Sequence, residues 1–241
     1  MRSTAHSTRR VATVLACALA IGCAKPVESS APLSPDAFLR ASDKLAALDA
    51  ALTKERTATI RLEIRAPYLP GDVSSRGAVA IRPPDDLRMM LLGPGGSTAM
   101  DVWLQGDRFR MEIPAIERVV RGDVSTPAAD RRGLPIDFFR WWLLRPFAGK
   151  LHAARDTPRG LEVLIHQDDA WIELLFLADG SIEASRRSRV DKERLTASKV
   201  GCGRTAYTQE STKLEAVVEC ERERDGATAK AFEEPCDGEG C

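Results

Sequence analysis

Apolar and polar residues follow two different rhythms along this chain. Phe38, Ala41, Leu45, Leu48 and Leu52 recur at intervals of three and four, which places them on one stripe of a helix. Ser34 before Pro35 reads as an N-cap followed by a proline in the first turn, so a helix is expected over about 35–54. The rhythm then changes to period two. In TIRLEIR, Ile60, Leu62 and Ile64 alternate with charged residues, the mark of a half-buried antiparallel strand. GAVAIR offers Val79 and Ile81. LRMMLL offers Leu87, Met89 and Leu91, and AMDVWLQ offers Met100, Val102 and Leu104 opposite Asp101 and Gln105. RFRMEI offers Phe109, Met111 and Ile113. Short strands joined by PPDD, GPGG and QGD predict a meander.

The stretch LPIDFFRWWLLRPFAG, with Pro135 near its start and Pro146 near its end, carries Phe138, Phe139, Trp141, Trp142, Leu143 and Leu144 around most of its circumference. A helix apolar nearly all round is a buried one; the alternative, a helix lying on a membrane, has only Arg140 and Arg145 to support a basic face. Strands then resume. LEVLIH gives Val163 and Ile165, WIELLF gives Ile172, Leu174 and Phe176, Asp179-Gly180 gives a hairpin turn, and KLEAVVEC gives Leu214, Ala216 and Val218. DGATAKAF is expected as a last strand. The pattern therefore predicts an α+β, mainly β fold: a single antiparallel sheet of eight or more strands that tends to curl, with two apolar helices filling its concave side.

Before the first helix the pattern is of another kind. MRSTAHSTRR is basic and VATVLACALAIG is apolar but short, as in a secretory leader rather than a spanning helix of about 20 residues. It ends in LAIGC, which resembles the lipobox of bacterial lipoproteins. That resemblance implies cleavage after Gly22, diacylglycerol on the Cys23 sulfur and acylation of the new amine. VLAC, ending at Cys17, fits the pattern only with a much shorter apolar run; an ordinary secretory leader that happens to contain cysteine is the remaining alternative. Residues 1–22 are thus expected as a lipoprotein leader, 23–33 as a small, polar, proline-containing tether, and 34–241 as one domain with a cysteine-containing C-terminal extension from about 200. Ala24 follows the cysteine where aspartate is associated with inner-membrane retention, so the resemblance favours the outer membrane.

The other cysteines are Cys202, Cys220, Cys236 and Cys241. An even number in an exported chain reads as disulfides. Of three pairings we favour Cys202 with Cys220 and Cys236 with Cys241. A zinc site is the competing reading, but paired Cys-x-x-Cys spacing is absent.

Charge is balanced, with 35 basic and 35 acidic residues in 241, so no bulk field draws in nucleic acid. The basic run from Arg186 to Lys199 contains Asp191 and Glu193 and reads as a solvated strand edge and loop. No catalytic set emerges. His152 and His166 stand outside any recognisable arrangement, and Asp85-Asp86, Asp168-Asp169 and Glu233-Glu234 suit turns and solvated pairs. Gly93-Pro94-Gly95-Gly96 precedes a strand, not a helix, and lacks the lysine of a phosphate loop. No metal or cofactor is expected, and no enzyme.

What remains is the concave side. A curled sheet lined by Leu, Ile, Val, Phe and adaptable Met can enclose an apolar cavity; a solid core is the plain alternative. The order of parts resembles the LolA/LolB-like outer-membrane lipoproteins, from the first helix to about residue 187. LRMMLLGPGGSTAMDVWL is similar to that family's strand, glycine-proline turn and next strand. RGD followed by LPIDFFRWWLLRPFAG is similar to its tryptophan-containing helix, and GLEVLIHQDDAWIELLF to its paired late strands. The resemblance implies a half-barrel around a hydrophobic cavity that takes an acyl chain or the lipid moiety of a lipoprotein, a membrane anchor, and a periplasmic carrier as partner. The cavity would be lined by Ile60, Leu62, Ile64, Leu87, Met89, Leu91, Met100, Val102, Leu104, Phe109, Met111, Ile113, Phe138, Trp142, Val163, Ile165, Ile172 and Leu174. Pro94 and Gly95 would form the membrane-facing turn. There the family's insertion receptor presents a leucine, and this chain has Gly95, which has no side chain to insert.

Overall fold

The computed structural model describes residues 33–67, 71–127, 130, 136–144, 147–189, 191–199 and 201–235. Cys23, the leader, the tether up to residue 32, Pro135, Arg145, Pro146, and the Cys236–Cys241 pairing lie outside the described residues.

Helix α1 runs Pro35–Leu52, with the Ser34 side chain accepting from the Ala37 amide, so one orphan donor of the first turn is satisfied. Thirteen strands follow: β1 Arg56–Arg65, β2 Val73–Arg82, β3 Asp86–Leu92, β4 Thr98–Gln105, β5 Arg108–Ile113, β6 Arg118–Asp123, β7 Lys150–Thr157, β8 Gly160–Gln167, β9 Ala170–Leu177, β10 Ile182–Arg187, β11 Lys192–Ala197, β12 Arg204–Gln209 and β13 Leu214–Asp225. A helical turn, α2, covers Ile136–Phe138 and continues as a π-helix, Phe139–Leu144; together they form the closing helix.

All the strands join one antiparallel sheet, ordered β6-β5-β4-β3-β2-β1-β13-β12-β11-β10-β9-β8-β7. The chain starts at the centre, steps out to the β6 edge, crosses through the closing helix to the β7 edge, and steps back. Residues at opposite ends of that order, Asp123 at the end of β6 and Gln167 at the end of β8, line the same cleft, so the sheet curls over itself. β6 and β7 remain unpaired with each other, which leaves a half-barrel rather than a closed one. Its concave face buries one core cluster with α1 and the closing helix, as the apolar alternation requires.

Several expectations are corrected here. The apolar stripe of α1 buries Ala37 and Ala41 completely, whereas Phe38 is 39% exposed; small residues let the helix lie close to β7, and the bulky neighbour is turned away. DGATAKAF is not a strand: it contains a 3₁₀ turn, Ala229–Phe232. β13 is paired with β1 up to Asp225 and with β12 only over Leu214–Glu219, and at Gly226, with φ +79°, the chain turns out of the strand. It crosses the convex face instead, where Phe232 is buried and its carbonyl accepts from Trp103 Nε1 at 2.9 Å. The run Arg186–Lys199 is not a solvated edge: it forms the β10–β11 hairpin inside the sheet, with Glu193, Leu195 and Ala197 buried. An inward glutamate broke the apolar alternation by which that strand would have been recognised. The cysteine-containing part beyond residue 200 supplies β12 and β13 at the centre of the sheet, and Cys202 and Cys220 form a disulfide, as expected.

Candidate functional site

The residues proposed as a cavity lining come together on the concave face. All except the half-buried Ile113 are at most 6% exposed, and they belong with Phe138 and Trp142 to a single cluster. Burial is enforced by register. Leu62 of β1 stands beside Val218 of β13, Met89 of β3 beside Val102 of β4, and Val163 of β8 beside Leu174 of β9, and each such pair turns both side chains inward.

The closing helix is hung across this surface by specific polar contacts. Arg56, itself buried, donates to the Leu52 carbonyl at 2.9 Å and to the Leu143 carbonyl at 3.1 Å, so one guanidinium ties the C-terminal end of α1 to the closing helix. Burial depresses its pKa, yet arginine retains its charge because its starting value is so high. Trp142 Nε1 donates to Thr205 Oγ1 at 3.1 Å, and Arg140 donates to the Asp107 carbonyl at 2.6 Å. The Phe138 ring lies 4.7 Å from Tyr207. A π-helical turn in such a place widens the backbone and is often found at functional sites.

Beneath the helix runs a buried polar chain that sequence reasoning missed. Tyr207 donates to Glu193 Oε1 at 2.6 Å, and Arg186 donates to Glu193 Oε2 at 2.7 Å. Burial raises the Glu193 carboxyl above the ordinary range, outweighing Arg186 and Tyr207, which pull it down. Burial, and then the Glu193 carboxylate, raises the Tyr207 phenol. Burial also works against the Arg186 charge, but Glu193 and the more distant Asp137 and Asp169 outweigh it. The only advance signal was an Arg and a Glu at matching positions of a hairpin.

Two clefts flank the closing helix and share Pro84 and Leu144. One, of about 440 Å³, is lined by the turns of both halves, with Asp85, Asp107, Asp137, Asp168 and Asp169 against Arg140 and Arg186. The other, of about 260 Å³, is an apolar slit between α1 and the closing helix, lined by Leu52, Pro83, Leu144, Phe147 and Ala148. The first suits a polar or cationic group, the second an apolar chain. His152 and His166 lie elsewhere, on either side of Trp171 at 5.0 and 4.5 Å between ring centroids. Among the described residues, the group with metal-ligand spacing is Cys202, Cys220 and Glu223, but the two sulfurs are bonded to each other and offer no thiolate.

The GPGG turn connects β3 to β4 through a 3₁₀ turn, Pro94–Gly96. Gly95 has φ +73° and nothing within 4 Å of where a Cβ would stand. The backbone here is left-handed, which disfavours a leucine regardless of space. Gly95→Leu is expected to lower stability by about 1 kcal/mol while leaving the fold intact, as read by thermal unfolding; an unchanged melting temperature would contradict that strain. Met90 and Leu92, 41% and 46% exposed, flank the turn on the outer face of β3.

No protein-family model matches the chain, and no curated protein matches it. Solved structures do. A LolA superfamily protein from Nitrosomonas europaea superposes with a TM-score of 0.50 at 11% identity, over 80% of this chain and 97% of that one. A putative outer membrane lipoprotein-sorting protein domain from Vibrio parahaemolyticus gives 0.51 at 12%, over 80% and 95%. A DUF1329 family protein from Desulfovibrio piger gives 0.54 at 12%, over 82% and 96%. At such identities the likeness speaks for fold alone, and on it the chain has the curled half-barrel fold of the LolA/LolB-like proteins.

Proposed function

We propose that this protein is a lipid-anchored lipoprotein of the bacterial envelope, held at the outer membrane through Cys23, whose domain takes up an acyl chain of a lipid or of a lipoprotein. The observation that carries the reading is the construction of the concave face: apolar positions from both halves of the sheet are covered by α1 and a short closing helix, with an apolar slit between the two. An acyl chain would enter along the slit as the closing helix shifts, exchanging water for Leu, Met and Phe side chains at about 0.8 kcal/mol per methylene. Transfer would proceed by difference in apolar affinity, without covalent catalysis, and the donor would be a periplasmic carrier of the same chemistry. The similarity of fold to a lipoprotein-sorting domain agrees with this.

A second reading has its own observation. The same positions are nearly all at most 6% exposed, as in a solid interior, which suits a scaffold that holds an envelope partner and no lipid. Extraction of the purified full chain with organic solvent, followed by mass spectrometry, separates the two. The proposal expects an acyl-bearing lipid beyond the covalent anchor, and a fluorescent fatty-acid probe that the extract displaces. A chain that carries no lipid and binds no probe leaves the scaffold.

A further inference from the structure

One exposed apolar surface lies outside the concave interior. Leu33, Phe38 and Leu39 are 68%, 39% and 63% exposed and line a cleft of about 470 Å³ with His152 and Ala153 of β7. His152 carries the surface onward, its ring edge-on to Trp171 at 5.0 Å. Trp171 is 40% exposed, whereas Trp103, Trp141 and Trp142 are 1%, 4% and 6% exposed. Single exposed apolar side chains are ordinary, but a contiguous set with a charged rim is not. The rim here holds the Arg40–Asp156 ion pair at 2.5 Å, and Lys150, which stands opposite His166 in register. Leucine and phenylalanine beside an amphipathic indole, edged by long basic side chains, is the composition that the lipid–water boundary selects.

We infer that this surface rests on the bilayer into which the protein is anchored. The inference depends on lipidation of Cys23, proposed above. Leu33 lies ten chain steps beyond Cys23, with nine residues between them, and ten steps of any chain span at most about 35 Å. Leu33, the first of the patch residues along the chain, is therefore confined near the membrane surface. Confinement makes the second contact intramolecular, so a small apolar patch suffices to hold it. The domain then sits on the membrane by the start of α1 and the β7–β9 face.

The exposed indole supplies the test. The full lipidated chain is reconstituted into phosphatidylcholine vesicles with brominated acyl chains, and tryptophan emission is compared with that in unbrominated vesicles. Quenching is expected in the wild type and is expected to vanish in Trp171→Phe. In Phe38→Ser/Leu39→Ser it falls by about two-fold or more, although that variant still floats with the vesicles and keeps its buried tryptophan emission, because Ala37 and Ala41 are untouched. Equal quenching in that variant, or absence of quenching in a wild type that floats, overturns the inference and leaves the anchor standing. A protein whose mass lacks the lipid, and which fails to float, overturns both. A dimer in the absence of vesicles that Phe38→Ser/Leu39→Ser dissociates assigns the patch to a second copy and overturns the membrane contact.

Discussion

Exchange of Cys23 for serine is expected to abolish incorporation of labelled fatty acid into the protein, whereas exchange of Cys17 leaves it unchanged. The expectation follows from the segment MRSTAHSTRRVATVLACALAIGC. A basic start and an apolar run too short to span a bilayer end at a cysteine preceded by small residues. The thioether that would carry diacylglycerol needs sulfur, and a serine hydroxyl is a far weaker nucleophile than a thiolate. Several acyl chains at about 0.8 kcal/mol per methylene hold a protein on a membrane far more firmly than one, so the change is close to all-or-none. Label retained in Cys23→Ser and lost in Cys17→Ser would move the anchor to the earlier cysteine. Label in neither parent nor variant would make the segment an ordinary secretory leader.

Glu193→Ala is expected to destabilise the domain by about 3 kcal/mol, the low end for breaking a buried ion pair by removing one partner. The carboxylate is 3% exposed on its side chain and Arg186 is 23% exposed, so the stranded guanidinium recovers some water. The Tyr207 hydroxyl, in a residue only 1% exposed, is left without its acceptor, and a buried polar group stripped of its partner adds to the cost. Thermal unfolding reads the loss as a fall of roughly 10 °C for a domain of this size. Glu193→Gln keeps the shape and one oxygen to accept from Arg186, while its NH2 can donate to the Tyr207 oxygen in place of accepting from it. The charge is lost but no donor is stranded beside an alanine, so its loss should be smaller. It should also alter the pH dependence. Because burial raises the native pKa of Glu193 above its ordinary value of 4.5, the folded state binds more protons than the unfolded one just above that pH. The group's contribution to stability is then fully present below pH 4.5 and declines as pH rises through the raised value. In Glu193→Gln that decline should flatten. An unchanged slope would show that Glu193 ionises in the fold as easily as in the unfolded chain.

The strands that could be read in advance are those whose buried face is purely apolar. Ile60, Leu62 and Ile64, or Ile172, Leu174 and Phe176, announce themselves by alternation with polar neighbours, and the structure turns them inward. β11 and β12 escaped because they carry Glu193 and Tyr207 on the inward side. β6 and β7 escaped because edge strands bury less: their inward positions are mostly half-buried. The buried chain Arg186–Glu193–Tyr207 was illegible for the same reason, since its charges look solvated until burial and pairing are known.

By itself the sequence determined the first helix and its cap, the apolar faces of most strands, the aromatic closing helix and the glycine turn at Gly95. Each of these depends on residues a few positions apart, where backbone periodicity and turn chemistry act directly. Only the tertiary structure decided that β13 pairs with β1, as in Leu62 beside Val218, and that the chain beyond β13 leaves the sheet for its convex face. It also turned Phe38 outward while Ala37 and Ala41 went in, and sank a glutamate beneath the closing helix. Those outcomes depend on which surfaces meet across more than a hundred residues of chain, and on the room left once the sheet has curled; no local rhythm encodes either.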